Sequence, residues 1–245
     1  MIIGKIFAFI WEDRISGFLY LKEVKNLKEN IPEKGASVQK DMETYAIIPY
    51  ISGGIVDSTM LRKIADVADK YDIKIMKLTS EGRISLHGIK EEDLDDVWED
   101  LSMRPGGHLG KCVRPAKSCI GDMCCKKGYQ DSVGMGKRIN EFYCGVSTPR
   151  KLKIAVSGCP NSCGESAVRD IGLIGTGKGW KLLVGGNCGI KPRIGKLLAK
   201  NLSDDEVIAL IGKILDYYNA QGIEKRVGAF IEKIGFEKFS QDVLG

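Results

Sequence analysis

Leu152-Lys-Ile-Ala-Val-Ser-Gly-Cys-Pro-Asn-Ser-Cys-Gly164 is the stretch that decides how the rest of this chain is read. Leu152–Val156 reads as a buried strand, and it leads directly into a turn that carries Cys159 and Cys163. Pro160 suits the first position of a helix, where its missing N–H costs nothing. Thiolates at a helix N-terminus are stabilised by the dipole and by free N–H groups, and those groups can also donate to metal-bound sulfur. A second pair lies upstream, Cys119 and Cys125, separated by five residues. Four thiolates held in this way suit an iron–sulfur cube or a tetrahedral zinc. Structural zinc sites favour cysteines two to four residues apart, so the wider upstream pair leans toward the cube without deciding it.

Working outward, the whole chain holds eight cysteines. Met1–Trp11 is apolar, but Lys5 interrupts it and Glu12-Asp13-Arg14 follows. The run is too short for a spanning helix and lacks the small-residue cleavage site of a signal peptide. No other window resembles a membrane span, so a cytoplasmic protein without a membrane partner is expected. In a reducing compartment clustered cysteines bind metal or do redox chemistry more often than they form disulfides. Cys112, Cys124, Cys144 and Cys188 read as packing residues. The net charge of +5 favours anions in general and selects no function.

The elements point to an α+β fold. Residues 1–40 form an extension whose apolar positions suggest a strand or short helix, followed by a polar turn at Asn30–Gly35. Tyr45–Tyr50 reads as a strand ended by Ser52-Gly53-Gly54. Asp57 or Ser58 caps a helix with Leu61, Ile64, Val67, Ala68 and Tyr71 on one face. Ile73–Leu78 and Arg83–Leu86 are strands, and Glu91–Leu101 is a helix with Leu94, Val97, Trp98 and Leu101 inward. The order β-α-β-β-α fits a ferredoxin-like layer over residues 41–105. Arg104-Pro105-Gly106-Gly107 marks a boundary, and 106–245 form a second α/β domain. Within it, 171–175 and 180–184 are strands, Ser203 opens a helix, and a last amphipathic helix covers 224–234.

Three further segments carry a resemblance. They are Cys119-Ile-Gly-Asp-Met-Cys-Cys-Lys-Lys-Gly-Tyr-Gln-Asp-Ser132, Lys77-Leu-Thr-Ser-Glu-Gly-Arg-Ile-Ser-Leu-His-Gly-Ile89 and Asp170-Ile-Gly-Leu-Ile-Gly175. Together with Lys151–Gly164, they make the chain resemble the sirohaem-dependent sulfite and nitrite reductases, over about residues 33–236. The small, low-molecular-weight sulfite reductases are the nearest in kind. The resemblance implies a sirohaem/4Fe-4S-binding second domain, with the [4Fe–4S] cluster on Cys119, Cys125, Cys159 and Cys163. By position, Cys163 bridges the cube to the sirohaem iron. An aromatic residue often precedes the second family cysteine, and here that position is Cys124.

A site for a small oxyanion beside a carboxylate-rich macrocycle needs fixed cations. The resemblance assigns Lys151 and Lys153 to substrate and Arg83 to substrate or sirohaem. It leaves Arg114, Lys117 and Arg150 for the macrocycle's carboxylates. The bland alternative for the two lysines is a solvated strand edge. His87, on a strand, and His108 are the only histidines, and His87 reads as structural. The implied activity is six-electron reduction of sulfite to sulfide, or of nitrite to ammonia at the same site. Electrons come from an external donor such as a ferredoxin, because no nicotinamide or flavin fingerprint is present. The chain carries one copy of a unit that larger relatives carry twice, which suggests a homodimer. An iron–sulfur electron carrier without sirohaem is a second class. A zinc-stabilised nucleic-acid-binding domain is a third, disfavoured because no aromatic stacking set accompanies the basic residues.

Overall fold

The computed structural model describes residues 28–106 and 109–245. The readings of Met1–Trp11 and of His108 lie outside the described residues. Two sheets, each with its own core, build the described chain.

The first sheet is antiparallel throughout. It contains β1 (Ser37–Val38), β2 (Tyr45–Ile47), β3 (Ile75–Leu78) and β4 (Ile84–Ile89) in the order β1-β2-β4-β3. The polar turn at Pro32–Lys34 is present, with Gly35 left-handed at its end. Beyond it, β1 pairs with β2, so the sheet begins inside the stretch read as an extension. Two residues give too little alternation to mark such a strand.

Helix α1 (Ser58–Lys70) starts at Asp57, whose Oδ1 accepts the Met60 N–H at 2.7 Å. It places Ile64, Val67 and Ala68 in the first core with Tyr45, Ile47 and Leu86. Leu61, expected on that face, is 44% exposed. Helix α2 (Leu94–Leu101) buries Leu94, Val97 and Leu101. Its Trp98 is half-buried and donates its indole N–H to the Lys34 carbonyl at 2.8 Å.

The second sheet is mixed, in the order β5 (Lys117–Ser118), β6 (Ile154–Ser157), β7 (Ile171–Thr176), β8 (Gly179–Val184), β9 (Lys196–Leu202). The first three strands run parallel and the last three antiparallel. Every residue of β6 is buried, as a parallel strand covered on both faces should be. Helix α3 (Ser132–Tyr143) lies against β6. Helix α4 (Asp204–Ala220) opens with a capping box between Ser203 and Glu206. Helices α5 (Val227–Ile234) and α6 (Phe236–Leu244) close the core, where Phe230 and Phe239 meet edge to face at 6.2 Å.

Three elements had no clear periodic signal. Helix α3 is diluted by Gly134 and Gly136, and a Cβ at either would run into Asp131 or Ser118. Strand β9 does not alternate and carries a register shift against β8. Helix α6 follows α5 after Gly235 alone. The last expected helix starts at Val227 rather than 224, because Arg226 is non-helical. The helix expected at Pro160 is absent: Ser162 and Glu165 take positive φ (52° and 62°) and turn the chain back.

The two cores are separable by mutation. Ile64→Ala is expected to lower unfolding free energy by about 3 kcal/mol, whereas Leu61→Ala, one turn away, costs about 0.5 kcal/mol or less. Urea denaturation of both variants checks the pair.

Candidate active site

The parallel arrangement of β5 and β6 sends both strands toward the same edge of the sheet, and a cysteine loop leaves each. Val156 O accepts the Cys119 N–H at 3.0 Å, which fixes where the first loop departs. Cys119 Sγ then accepts the Gly158 N–H at 3.2 Å and lies 3.3 Å from Ser132 Oγ. The Gly158 carbonyl accepts the Tyr129 and Gln130 N–H groups at 2.9 and 3.2 Å. A Cβ at Gly158 would stand 2.7 Å from Gln130 O and 2.8 Å from the Gly121 Cα. These contacts hold the loop of Cys119 and Cys125 against the turn of Cys159 and Cys163.

Cys125 N–H donates to Gly121 O at 2.9 Å, one turn back. Cys159 is buried, Cys119 half-buried, and Cys125, Cys124 and Cys163 are exposed; none of the eight is in a disulfide. Gly164 N–H donates to Ser157 Oγ at 3.0 Å, returning the chain after Cys163. A cavity of about 430 Å³ opens beside Cys159, lined by Lys126, Lys127, Gly128, Tyr129, Pro160 and Asn161. Among the described residues no three His, Cys, Asp or Glu side chains gather round one point as a single ion needs.

The cations lie on the other side of β6. Lys151 and Lys153 flank the fully buried Leu152. Lys153 Nζ is 2.7 Å from Glu81 Oε1, a carboxylate from the β3–β4 turn of the first half. Arg169 joins the same group, 3.5 Å from Glu81 and 2.6 Å from Glu165, and Lys117 is 3.1 Å from Glu165. Burial pushes the Glu81 carboxyl up, but Lys153, Arg169 and Lys117 outweigh it and hold it below its ordinary 4.5. Burial pulls Lys151 down, helped by Arg226, Lys153 and Arg114 nearby.

Arg83 is 5% exposed and donates through Nη1 to Gly106 O at 3.0 Å. Burial lowers its pKa. Arg114 donates through Nη2 to Gly110 O at 2.9 Å. Arg150 lines a basic concavity with Lys151. His87 is held at both ring nitrogens, by Ser85 and Gln39, and burial lowers its pKa.

Four residues of this region were not singled out from sequence: Glu81, Arg169, Asp170 and Arg226. Asp170 opens a quoted motif, yet nothing local marks a carboxylate that will be fully buried and paired to Arg226 at 2.5 Å. Only the sheet shows it, because the partner is 56 positions away.

Two cysteine loops joined through shared backbone bonds, on a strand whose entry carries Lys151 and Lys153, define an iron–sulfur oxidoreductase domain. Residues 109–245 match the family model described as the nitrite and sulphite reductase 4Fe-4S domain, and 37–104 match the nitrite/sulfite reductase ferredoxin-like half domain. The chain belongs to the nitrite and sulphite reductase family. It is 45% identical over 213 residues to the assimilatory-type sulfite reductase of Nitratidesulfovibrio vulgaris, covering 86% of this chain and 98% of that protein. It is also 45% identical over 201 residues to the Bacillus subtilis nitrite reductase (NAD(P)H), covering 82% of this chain but 25% of that one. The crystal structure of dissimilatory sulfite reductase I shares the fold, with a TM-score of 0.73 at 18% identity over 82% of this chain and 69% of that chain.

Membership brings a [4Fe–4S] cluster and sirohaem as cofactors. The residues present fit them. Five free thiols stand on two adjoining loops, Cys119, Cys124 and Cys125 on one and Cys159 and Cys163 on the other. The Arg83 and Arg169 Nε groups and Ser162 Oγ are buried with no hydrogen-bond partner, which suits donors kept for an anionic group.

Gly158→Ala is expected to pry the loops apart and cut bound iron and acid-labile sulfide at least severalfold, with far-UV circular dichroism unchanged. Normal iron content in that variant would show that the loops do not depend on this contact. Glu81→Gln is expected to flatten the acid limb of stability. The native carboxyl lies below its unfolded value, so its contribution is full above about pH 4.5 and is lost as pH falls through the native pKa. Urea titrations from pH 3.5 to 6 measure it.

Proposed function

We propose that the chain reduces sulfite to sulfide, taking six electrons from a separate donor protein. The observation that carries this reading is the meeting of the cysteine loops, Gly158 N–H to Cys119 Sγ at 3.2 Å, on a strand whose entry bears Lys151 and Lys153. The near end-to-end match to an assimilatory-type sulfite reductase supports sulfite over nitrite. The 45% identity to a nitrite reductase makes nitrite the competing substrate.

Cys119, Cys125, Cys159 and Cys163 would hold the [4Fe–4S] cluster, with Cys163 shared with the sirohaem. When bound, the two groups would supply electrons singly to the oxyanion. Each turnover consumes one sulfite, six electrons and seven protons, and releases one hydrosulfide and three waters.

The chain's own residues account for the anion and the protons. Lys151 and Lys153 bind the oxyanion as point charges and stabilise the negative charge that grows on each departing oxygen. Lys153 Nζ carries a proton to that oxygen, and Glu81 Oε1 at 2.7 Å holds the ammonium in place. Arg83, Arg114, Lys117 and Arg150 meet carboxylates of the macrocycle. Among these Lys117 would have to share its charge with Glu165. Arg83 is the best placed to orient a carboxylate, being buried with Nε still unpartnered.

The donor is read as a small ferredoxin-like carrier. No helix among the described residues is long and apolar enough to cross a membrane. Thiolates held for iron suit a reducing compartment such as the cytoplasm. A homodimer is supported by β3, an edge strand whose Ile75, Met76 and Leu78 are all exposed.

Anaerobically purified chain should show sirohaem bands and about five irons, one cube plus one haem iron. With a viologen donor, kcat/KM for sulfite should exceed that for nitrite, and Lys153→Met should cut sulfite turnover at least a hundredfold. Light scattering on the same sample should give a dimer. Colourless protein with zinc would end the reductase reading, and a higher kcat/KM for nitrite would reassign the substrate.

A further inference from the structure

Beneath the lysine strand lies a fully buried carboxylate. Asp170 sits just before β7 and accepts three hydrogen bonds: the Lys153 N–H at 2.8 Å, and Arg226 through Nε at 3.0 Å and Nη2 at 2.5 Å. Its backbone carbonyl accepts the Gly185 N–H at 2.8 Å. Arg226 comes from the far end of the chain, just before α5. The turn entering it is also pinned, because the Tyr218 hydroxyl donates to the Lys225 carbonyl at 2.5 Å. One carboxylate therefore sets both the position of the lysine strand and the orientation of a guanidinium.

Asp170 engages one edge of that guanidinium, Nε and Nη2. The side chain is still 22% exposed, and it faces a concavity of about 310 Å³ lined also by Gly110, Lys111, Arg150 and Lys151. The lining holds four cations and no carboxylate. Two of the four are ion-paired, Arg226 to Asp170 beneath and Lys111 to Glu224 at the rim, and Glu224 also lies within electrostatic reach of Arg150. Like charges converge in this way only at a cost, and an anion removes that cost. A salt bridge serving only to anchor the C-terminal helices would not need three further cations at its open edge.

We infer that Arg226 is an anion-binding residue in this concavity, beside Lys151, and that Asp170 is the positioning residue that holds it there. The ligand is an oxyanion with at least two oxygens in one plane or face, the chemistry a guanidinium edge takes up bidentately. Two sources offer it: a carboxylate of the sirohaem or the sulfite substrate. The inference rests on the proposed function only for which of these sources supplies the anion.

The test compares wild type with Arg226→Gln, Arg226→Lys and the double variant Asp170→Asn/Arg226→Gln. The double variant removes both charges and so leaves no unpaired buried carboxylate. Lys181→Gln, on the exposed face of β8, is the charge control. Three quantities are read on folded protein: sirohaem per chain, KM against kcat for sulfite, and the shift of the thermal midpoint by tricarballylate at matched ionic strength.

The expected result is that Arg226→Gln and the double variant lose the tricarballylate shift, Arg226→Lys keeps part of it, and Lys181→Gln keeps all of it. Sirohaem content falling severalfold with KM unchanged assigns the concavity to a macrocycle carboxylate. A KM raised at least fivefold, with kcat and sirohaem content unchanged, assigns it to sulfite. A wild-type midpoint unmoved by the probe, or variants that match wild type in all three readouts, overturns the inference. If wild type neither binds sirohaem nor turns over sulfite, the functional reading fails, while the tricarballylate comparison still decides the subsite.

Discussion

Everything at the metal end depends on one backbone contact, the seating of Gly158 inside the loop that follows β5. Its N–H points at Cys119 Sγ and its carbonyl takes two amides from Tyr129 and Gln130. No side chain fits there, since an added Cβ would meet Gln130 O and the Gly121 Cα at under 3 Å. Gly175 repeats the constraint on β7, where a Cβ would come within 2.8 Å of the Gly158 carbonyl carbon. The two cysteine loops are thus held together by main chain. The amide directed at sulfur is one lever on reduction potential.

The second constraint is electrostatic. A face that must receive anions accumulates cations, and cations left alone would push the strand entry apart. Besides Glu165 and Glu224, which pair with Lys117, Arg169 and Lys111, two carboxylates act on the lysine strand itself. Glu81 is lent by the first half and touches Lys153 and Arg169. Asp170 lies under the strand and touches the Lys153 amide and Arg226. Burial pushes the Asp170 carboxyl up, whereas Arg226 and the Lys153 amide favour the carboxylate. A bidentate guanidinium is a strong reason for the ionised form to persist. Glu81 also ties the first half to the second, so its loss should be felt as altered electrostatics as well as weaker attachment.

How far the sequence alone could be read follows from these same contacts. Strands such as β6 and β7 are legible because burial on both faces leaves an apolar run, and α1 and α4 because Asp57 and Ser203 cap a periodic face. Helix α3 is hard to see because the glycines that let it approach Ser118 and Asp131 also erase its propensity. The turn after Cys159 was read as a helix start from Pro160. Positive φ at Ser162, a residue with no glycine's freedom, carries no sequence mark. The cysteines and Lys151 and Lys153 stand out because they cluster locally. Glu81 and Asp170 do not, since each acts on a partner that only the folded sheets bring near.

Arg83 and Arg169 extend the same logic. Both are 5% exposed, and each has Nε buried without a partner, although such groups are rare in a finished interior. An unpaired buried donor costs on the order of 1–3 kcal/mol. The two lie near the lysine strand as donors suited to a ligand with several carboxylates. Arg169 already gives its other nitrogens to Glu165 and Glu81, so it is poised rather than available. Arg83 has only a backbone carbonyl at Gly106. That difference sets Arg83, in the turn just before β4, apart from Lys117 and Arg169, whose side chains are ion-paired to carboxylates.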